Sequence, residues 1–334
     1  MPGSAIVSAP DVVILGAGLM GSWHGRYVRR TGGRVVAVID VDRPRAERLA
    51  RKLSTISLGS LEELSDLQGP SAVHVCSPAA THAEYCRLSL ERQMHVMCEK
   101  PLVLAAEDLV NLCALAKSRR LLLRPVHQFG AQPAIRQTAR EIADGLDARH
   151  IDFVFCTAGA QGRDPSGVRA LVDEILPHPL SILDLFYPGA LSGSPTWAAL
   201  TNQPGEVRIA TSLQSLTVSI LISCNVRPTR AEMQLYCSDR TINHNFFHGY
   251  RHVARGQASR VDKIMRPFYS GASAMAAAAF NLGKRALTRE SAYPGLRQCI
   301  GAFYESIHMG DIDSGSDIIG IYRARDAIAR ALAC

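Results

Sequence analysis

One turn near the start of the chain constrains the fold more than any other feature. Directly after the apolar run 12–15, the sequence reads Gly16-Ala17-Gly18-Leu19-Met20-Gly21. In a Gly-x-Gly-x-x-Gly turn the first glycine allows the tight strand-to-helix bend, the second lets the backbone approach a pyrophosphate, and the third lets helix and strand pack closely. The helix N-terminus then offers free N–H groups and a partial positive charge to phosphates. The turn, including Leu19 and Met20, therefore predicts a dinucleotide site.

The surrounding pattern predicts the sheet that such a turn needs. Short apolar runs alternate with helical segments, at residues 12–15, 34–39, 72–76, 95–98 and 121–123. Runs of this length between helices are typical of parallel strands buried on both faces. Right-handed crossovers then give a doubly wound α/β sheet of the Rossmann type. We expect this dinucleotide-binding domain to span residues 11–124.

Polar residues at the ends of the strands indicate which cofactor binds and where its site lies. Asp40 ends the second strand and can accept hydrogen bonds from ribose hydroxyls, which favours NAD, whereas nearby Arg43 leaves NADP possible. Ligands of doubly wound sheets bind at the carboxyl ends of the strands. We therefore expect the cofactor site to include the residues that follow two further strands, namely Ser77, Pro78, His82, Glu99 and Lys100.

Lys100 is the candidate catalytic residue. A lysine at this edge can bond a substrate hydroxyl and move its proton, and Glu99 can anchor the ribose or the lysine. We expect His82 to act as a packing or capping residue rather than as a catalyst.

The second half of the chain has a different pattern. From residue 151 onward β-type runs dominate, and polar residues interrupt the apolar ones, as in a sheet with one covered face. We expect a flexible leader over residues 1–10, an α+β domain for substrate binding and oligomerisation over residues 125–312, and a C-terminal helix within residues 313–334.

Composition excludes several classes of protein. Apolar residues make up 47% and charged residues 20% of the 334 residues, with a net charge of +7, which suits a soluble protein with an anionic ligand. We find no nucleic-acid pattern, and the irregularly spaced cysteines indicate reduced thiols in a cytoplasmic protein. The Ala-rich stretch 271–289 is expected to pack in the domain or between subunits, with a helix lying on a membrane surface as the alternative.

Several motifs together resemble one known family over the first 130 residues. They are Gly16-x-Gly18-x-x-Gly21, Asp40, Ser77-Pro78-x-x-Thr81-His82-x-Glu84 and Glu99-Lys100-Pro101, and they are similar to the glucose-fructose oxidoreductase / inositol 2-dehydrogenase / MocA family. The resemblance implies a bound NAD or NADP, activity on sugars, polyols or sugar nucleotides, and Lys100 as the catalytic lysine before a cis peptide. It also implies a second domain with an open-faced, mainly antiparallel sheet and a final helix that packs back on the Rossmann domain. The exposed sheet face makes a homo-oligomer our expectation.

The second half departs from the family pattern. His178 takes the position of the family's histidine and Glu174 falls where an aspartate would be, which makes both candidate acid/base residues. Because prolines flank His178, we expect the helix there to start at Pro179. His127, Gln128 and Arg163 are candidate substrate residues.

The metal prediction is negative. His244, His248 and His252 lie four residues apart, but no carboxylate or cysteine completes a set of ligands, so we expect no metal site.

These observations favour a nicotinamide-dependent oxidoreductase that transfers a hydride to or from a carbohydrate-like or cyclic hydroxyl or keto compound. Two alternatives remain open. The same site can reduce an imine or an activated double bond, or drive a redox-assisted elimination. The chain can also be a non-catalytic dinucleotide-binding sensor or partner subunit.

Overall fold

The computed structural model describes residues 10–66, 69, 71–256, 259–290, 292–311 and 316–332. Within these residues the chain forms two units. The first comprises the chain up to His127 together with Leu296–Ile319, and the second comprises Gln128–Gly295 together with the chain from Gly320 onward. The expected leader, residues 1–10, lies outside the described residues except for Pro10.

The first unit contains the predicted Rossmann sheet. Among the described residues, six strands pair in the order β3-β2-β1-β4-β5-β6, and every pair is parallel. The strands are β1 (Asp11–Leu15), β2 (Arg34–Ile39), β3 (Ile56–Leu58), β4 (Ala72–Val75), β5 (His95–Cys98) and β6 (Leu123–Pro125). The central strands β1 and β4 are buried along nearly their whole length because helices cover both faces. This confirms the predicted fold class.

Helices connect these strands, as the alternating pattern predicts. They are α1 (Leu19–Arg30), α2 (Arg43–Leu53), α3 (His82–Glu91) and α4 (Ala106–Arg119), with short 3₁₀ turns at Glu62–Asp66 and Ala79–Thr81. The start of α2 follows from its sequence, since the Asp42 side chain accepts the Arg45 N–H at 3.0 Å and Pro44 lies in the first turn.

The second unit contains a sheet of seven described strands in the order β13-β12-β11-β7-β10-β9-β8. They are β7 (Ala148–Cys156), β8 (Ala198–Gln203), β9 (Glu206–Leu213), β10 (Leu216–Ser223), β11 (Arg230–Cys237), β12 (Arg240–Asn245) and β13 (Tyr250–Arg255). Among these described strands, β7 and β10 are the only neighbours that pair in parallel. Buried and exposed residues alternate along β9 and β11, so one face of the sheet is covered and the other is open. Self-association through that open face stays a prediction.

The helices of the second unit are α5 (Pro133–Ala143), α6 (Pro165–Ile175), α7 (Pro177–Phe186) and α8 (Arg260–Leu287). They are followed along the chain by α9 (Leu296–Met309) and α10 (Ser316–Ala331). The Arg169 side chain of α6 donates to the Ala329 carbonyl of α10 at 2.9 Å, which ties the end of α10 to the second unit. The expected packing of the final helix on the Rossmann domain stays a prediction.

One helix boundary corrects the sequence analysis. We expected the helix at His178 to start at Pro179, but α7 begins at Pro177 and includes His178. Both prolines fall in the first turn, where a backbone N–H has no partner within the helix and its loss therefore costs no helical hydrogen bond.

Candidate cofactor and catalytic site

The glycine turn has the geometry of a phosphate cradle. Gly16 has a φ of +101°, and a Cβ there would lie 2.6 Å from the backbone of Cys76. A Cβ on Gly21 would lie 1.8 Å from the Gly16 carbonyl oxygen, so the start of α1 packs directly on the turn. A Cβ on Gly18, by contrast, would meet no described atom within 4 Å. The backbone at Gly18 therefore faces open space at a helix N-terminus, which fits the approach of a pyrophosphate.

Asp40 joins the glycine turn to the end of β2. Its two carboxylate oxygens accept the Ala17 N–H at 2.7 Å and the Asp42 N–H at 2.9 Å. The nearby Arg43 guanidinium reaches the Glu63 carboxylate at 2.9 Å, in an exposed pair. The carboxylate is thus fixed beside the turn, and its role as a ribose-binding acid stays a prediction.

His82 links the ends of β4 and β5. Its ring nitrogens lie 2.8 Å from the Ser77 carbonyl oxygen and 2.7 Å from the Pro101 carbonyl oxygen. The Lys100–Pro101 peptide is cis, as the family resemblance implied. Since the ring is buried between the two loops, His82 positions the segments around Ser77 and Lys100.

The Glu99 side chain is buried beside the half-buried Lys100. One carboxylate oxygen lies 3.0 Å from His24 Nε2, and the other accepts the Lys100 backbone N–H at 3.2 Å. Burial raises the pKa of Glu99, but the hydrogen bond from His24 and the charges of His24 and Lys100 outweigh it and hold the pKa below its ordinary value. A negative charge is therefore fixed next to the candidate catalytic lysine.

A buried polar chain, which the sequence analysis missed, runs from Glu99 to α9. His24 Nδ1 lies 2.9 Å from His74 Nδ1, and His74 Nε2 lies 3.1 Å from the Tyr304 hydroxyl. Because the Glu99 carboxylate can only accept, His24 Nε2 donates to it, whereas the direction of the two further hydrogen bonds depends on the tautomers of His24 and His74. Burial lowers the pKa of His74 well below its ordinary value, and His24 lowers it further, so His74 is neutral. The signal available in the sequence was a histidine inside the apolar run of β4.

His127 lies just beyond β6 in the same unit. Its Nε2 atom is buried and has no hydrogen-bond partner among the described residues. Burial lowers the pKa of His127 to about 4, although the charge of Glu99 raises it. A neutral imidazole with an unsatisfied nitrogen is the kind of group that a ligand can complete.

His178 lies in an aromatic cluster of the second unit. Its ring centroid is 4.4 Å from that of Phe129 and 6.3 Å from that of Phe155, and Phe246 stacks on both phenylalanines. The α7 helix holds the side chain there, in a buried position.

The other candidate residues of the second unit lie on α6 and in the segments that precede it. Glu174 is half-buried near the end of α6, and Arg163 is exposed just before that helix. The Gln128 carbonyl lies against Gly295, where a Cβ would come within 1.9 Å of its oxygen. The roles of these three residues stay predictions.

The three histidines with a spacing of four lie on a hairpin rather than a helix. His244 is on β12 and His252 on β13, while His248 is in the connecting turn. His244 Nε2 instead lies 3.0 Å from the Thr138 hydroxyl. Among the described residues no group of His, Cys, Asp and Glu is arranged to hold a metal ion.

Solved structures with a similar fold cover nearly the whole chain. The chain is similar to a UDP-N-acetylglucosamine 3-dehydrogenase from Acidithiobacillus ferrooxidans, with a TM-score of 0.70 and 18% identity over 97% of this chain and 96% of that one. It is also similar to a levoglucosan dehydrogenase solved with NADH and levoglucosan, with a TM-score of 0.73 and 14% identity over 97% of both chains. At this level of identity the likeness concerns the fold.

Comparison of sequences concerns the first unit. The inositol 2-dehydrogenase of Renibacterium salmoninarum is 32% identical over 94 residues, which are 28% of this chain and 28% of that protein. The match thus spans less than a third of that relative's length. Residues 11–127 also match the model of an oxidoreductase family with an NAD-binding Rossmann fold. Over residues 11–127 the chain is therefore similar to the NAD-binding Rossmann domain of the Gfo/Idh/MocA oxidoreductase family.

Proposed function

We propose that this protein is a nicotinamide-dependent oxidoreductase of a sugar, polyol or sugar nucleotide. One observation carries the proposal. The glycine turn packs on Cys76 and Ser77, His82 joins Ser77 to Pro101, and Lys100 stands in that second loop. A cofactor cradle and a lysine are therefore built into one continuous rim of the sheet.

The residues of this rim fit a bound dinucleotide. The open space at Gly18 and the N-terminus of α1 suit the pyrophosphate, and the Asp40 carboxylate suits an unphosphorylated ribose. We propose NAD as the preferred cofactor on this ground. When bound, the nicotinamide supplies the hydride chemistry.

The protein's part in the reaction is proton transfer and positioning. Lys100 would hydrogen-bond the substrate oxygen and take its proton during oxidation, or return it during reduction. The buried Glu99 carboxylate holds the Lys100 backbone N–H and supplies a compensating negative charge. We also propose that His178 acts on the substrate, because it is a buried polar side chain in an otherwise aromatic cluster.

Relatives suggest the substrate class. The matched proteins are named for inositol, glucosides, a deoxysugar nucleotide and an anhydro sugar. These compounds share a ring carbon that carries either a hydroxyl or a keto group. We propose such a ring as the reacting group.

A turnover panel tests the proposal. The purified chain is mixed with NAD or NADH and with sugars, polyols, sugar nucleotides and their keto forms, and the change in NADH absorbance is followed. We expect turnover with at least one ring compound and transfer of deuterium from C4-deuterated NADH to the product carbon. Tight NADH binding without turnover on any compound would favour the non-catalytic alternative, whereas deuterium transfer to an imine or alkene carbon would favour the other enzymatic one.

A further inference from the structure

The buried polar chain that ends at Glu99 is a complete hydrogen-bond network. Each ring nitrogen of His24 and His74 lies within 3.1 Å of a partner in the chain. Both imidazoles are fully buried, and the Tyr304 side chain at the far end is buried as well. Since a buried imidazole is costly unless its nitrogens are hydrogen-bonded, these contacts hold both rings in place.

The space around the chain fits these rings. The His24 and His74 rings meet edge to face, with their centroids 5.0 Å apart, and the Phe303 ring lies 6.0 Å from that of His74. A Cβ on Gly33 would lie 3.1 Å from the Tyr304 ring, so the segment before β2 leaves room for that ring. The rest of β4 is apolar, and an apolar side chain at position 74 would need no hydrogen-bond partners. The polar chain therefore indicates a role beyond packing.

The chain gives the Glu99 carboxylate a donor in each of its two proton arrangements. A neutral His24 that donates through Nε2 accepts at Nδ1, so His74 donates to it and accepts the Tyr304 hydroxyl proton. A protonated His24 donates at both nitrogens, so His74 accepts at Nδ1 and donates to the Tyr304 oxygen. Both arrangements satisfy the whole chain while Glu99 is charged.

Several other ionisable groups interact with Glu99. They come from β5, from the segments after β4 and β6, and from the residue next to Glu99, namely Cys76, Cys98, Lys100 and His127. Burial raises the pKa of both thiols well above its ordinary value and lowers the pKa of the His127 imidazole to about 4, so these three groups are neutral. Burial also raises the pKa of the Tyr304 hydroxyl, which is neutral too. The charge of Glu99 is thus governed by its own burial, by His24 and by Lys100.

We propose that His24, His74 and Tyr304 are positioning residues that hold Glu99 as a charged carboxylate directed at the loop that carries Lys100. They act through Glu99, because His24 donates to one of its oxygens and the other oxygen accepts the Lys100 N–H at 3.2 Å. The inference rests on the proposed function, since its consequence is a negative charge beside the residue proposed to move the proton. It extends the support of that residue from the Rossmann sheet to α9.

A carbon-13 NMR titration of the Glu99 carboxyl group tests the proposal without turnover. The full chain is labelled at the side-chain carboxyl carbon of glutamate, and the Glu99 resonance is the one missing from Glu99→Gln. His24→Leu should raise the midpoint of its titration by about one pH unit or more, because burial then acts on a carboxylate that has lost its donor. His24→Gln, whose amide can donate in place of Nε2, should stay within about 0.3 pH units of the parent protein.

Tyr304→Phe tests the far end of the chain by a milder change. It should raise the Glu99 midpoint by about half a pH unit in the parent protein, and by nothing in the His24→Gln background, where the link through Nδ1 is already broken. The matched control is Thr138→Val, which removes another buried hydroxyl that lies 3.0 Å from a buried histidine, His244. This control should leave the Glu99 midpoint unchanged.

The pH profile of kcat measures the consequence for the reaction. With a substrate from the turnover panel, the acid limb of kcat should move to higher pH in His24→Leu and Tyr304→Phe, by about the same amounts as the Glu99 midpoint. KM should change little, because none of the three residues is placed on the substrate. Thr138→Val should keep the profile of the parent protein.

Three results would overturn the proposal. One is a Glu99 midpoint that Tyr304→Phe and every folded variant of His24 leave unchanged. Another is an equal shift in Tyr304→Phe and Thr138→Val, which would indicate a general loss of stability. The third is a shifted midpoint without a shifted acid limb of kcat. A protein that turns over no compound contradicts the proposed function instead, while the NMR titration still decides whether the chain holds the carboxylate.

Discussion

At the scale of single residues, the glycine turn allows folding and cofactor binding to be separated. A Cβ on Gly18 meets open space, so Gly18→Ala should fold and lose at most about 1 kcal/mol of stability through the poorer N-cap. It should bind NADH about tenfold or more weakly, because the methyl group occupies the space of the pyrophosphate. A Cβ on Gly21 overlaps the Gly16 carbonyl, so Gly21→Ala should lose about 1–3 kcal/mol or more of stability. Calorimetric titration with NADH and urea unfolding measure the two effects. Normal NADH binding by Gly18→Ala would contradict the assignment of the cradle.

The buried His244 should make the free energy of unfolding depend on pH. Burial lowers its pKa to about 3, assisted by the charges of Arg251 and His252, so the folded state resists proton uptake while the unfolded state does not. Its contribution is therefore present above the unfolded pKa of about 6.5 and is lost as the pH falls toward 3. Between pH 7 and pH 5 this amounts to about 2 kcal/mol. Urea unfolding at the two pH values should show a smaller loss for His244→Gln than for the parent protein.

An exposed histidine provides the comparison for this experiment. His308 is exposed on α9, so His308→Gln should keep the pH dependence of the parent protein. The same acid-induced loss in the parent and in His244→Gln would show that His244 does not titrate on unfolding.

At the scale of elements, a buried hydroxyl on α9 contacts the Rossmann sheet. The Tyr304 hydroxyl on α9 forms a hydrogen bond with His74 Nε2 on β4, at 3.1 Å. Tyr304→Phe leaves the buried His74 nitrogen without its hydrogen-bond partner and should cost about 1–3 kcal/mol of stability. Tyr269→Phe, at an exposed position on α8, should cost nothing measurable in the same urea titration. Equal midpoints for the two variants would mean that the hydroxyl contributes no stability.

An element could be predicted from the sequence when its pattern lies within a few neighbouring residues. The parallel strands and the glycine turn were predictable, because a buried strand is a short apolar run and the turn has its own spacing. The hairpin β12–β13 was not predicted, because the polar residues from Asn243 to His252 obscure the alternation of buried and exposed positions along its strands. Helix α6 was missed because its capping residue, Asp164, lies in a stretch that reads as a loop, although its side chain accepts the Gly167 N–H at 3.1 Å.

The residues of the candidate site also differ in whether the sequence could predict them. Lys100, Glu99 and Asp40 could be found from their positions after strands. The chain from His24 through His74 to Tyr304 could not, because it joins residues up to 230 positions apart and only the folded sheet and α9 bring them together.

At the scale of the whole molecule, cofactor binding should stabilise the folded state by mass action. At a free NADH concentration of about 100 times the Kd, the gain is about 2.7 kcal/mol and appears as a rise in Tm. NADPH at the same concentration should raise Tm much less, because its 2′-phosphate would lie against the Asp40 carboxylate. A larger rise with NADPH would contradict the proposed preference for NAD.

The central claim is that an amine beside the nucleotide cradle moves the proton during hydride transfer. Lys100→Met tests it most directly, by NADH titration and by kcat with a substrate found in the turnover panel, with Lys117→Met as the surface control. We expect Lys100→Met to bind NADH with a Kd close to that of the parent protein and to lose about 10²–10⁴-fold in kcat. A Lys100→Met variant that binds NADH normally and turns over at the rate of the parent protein would contradict the account.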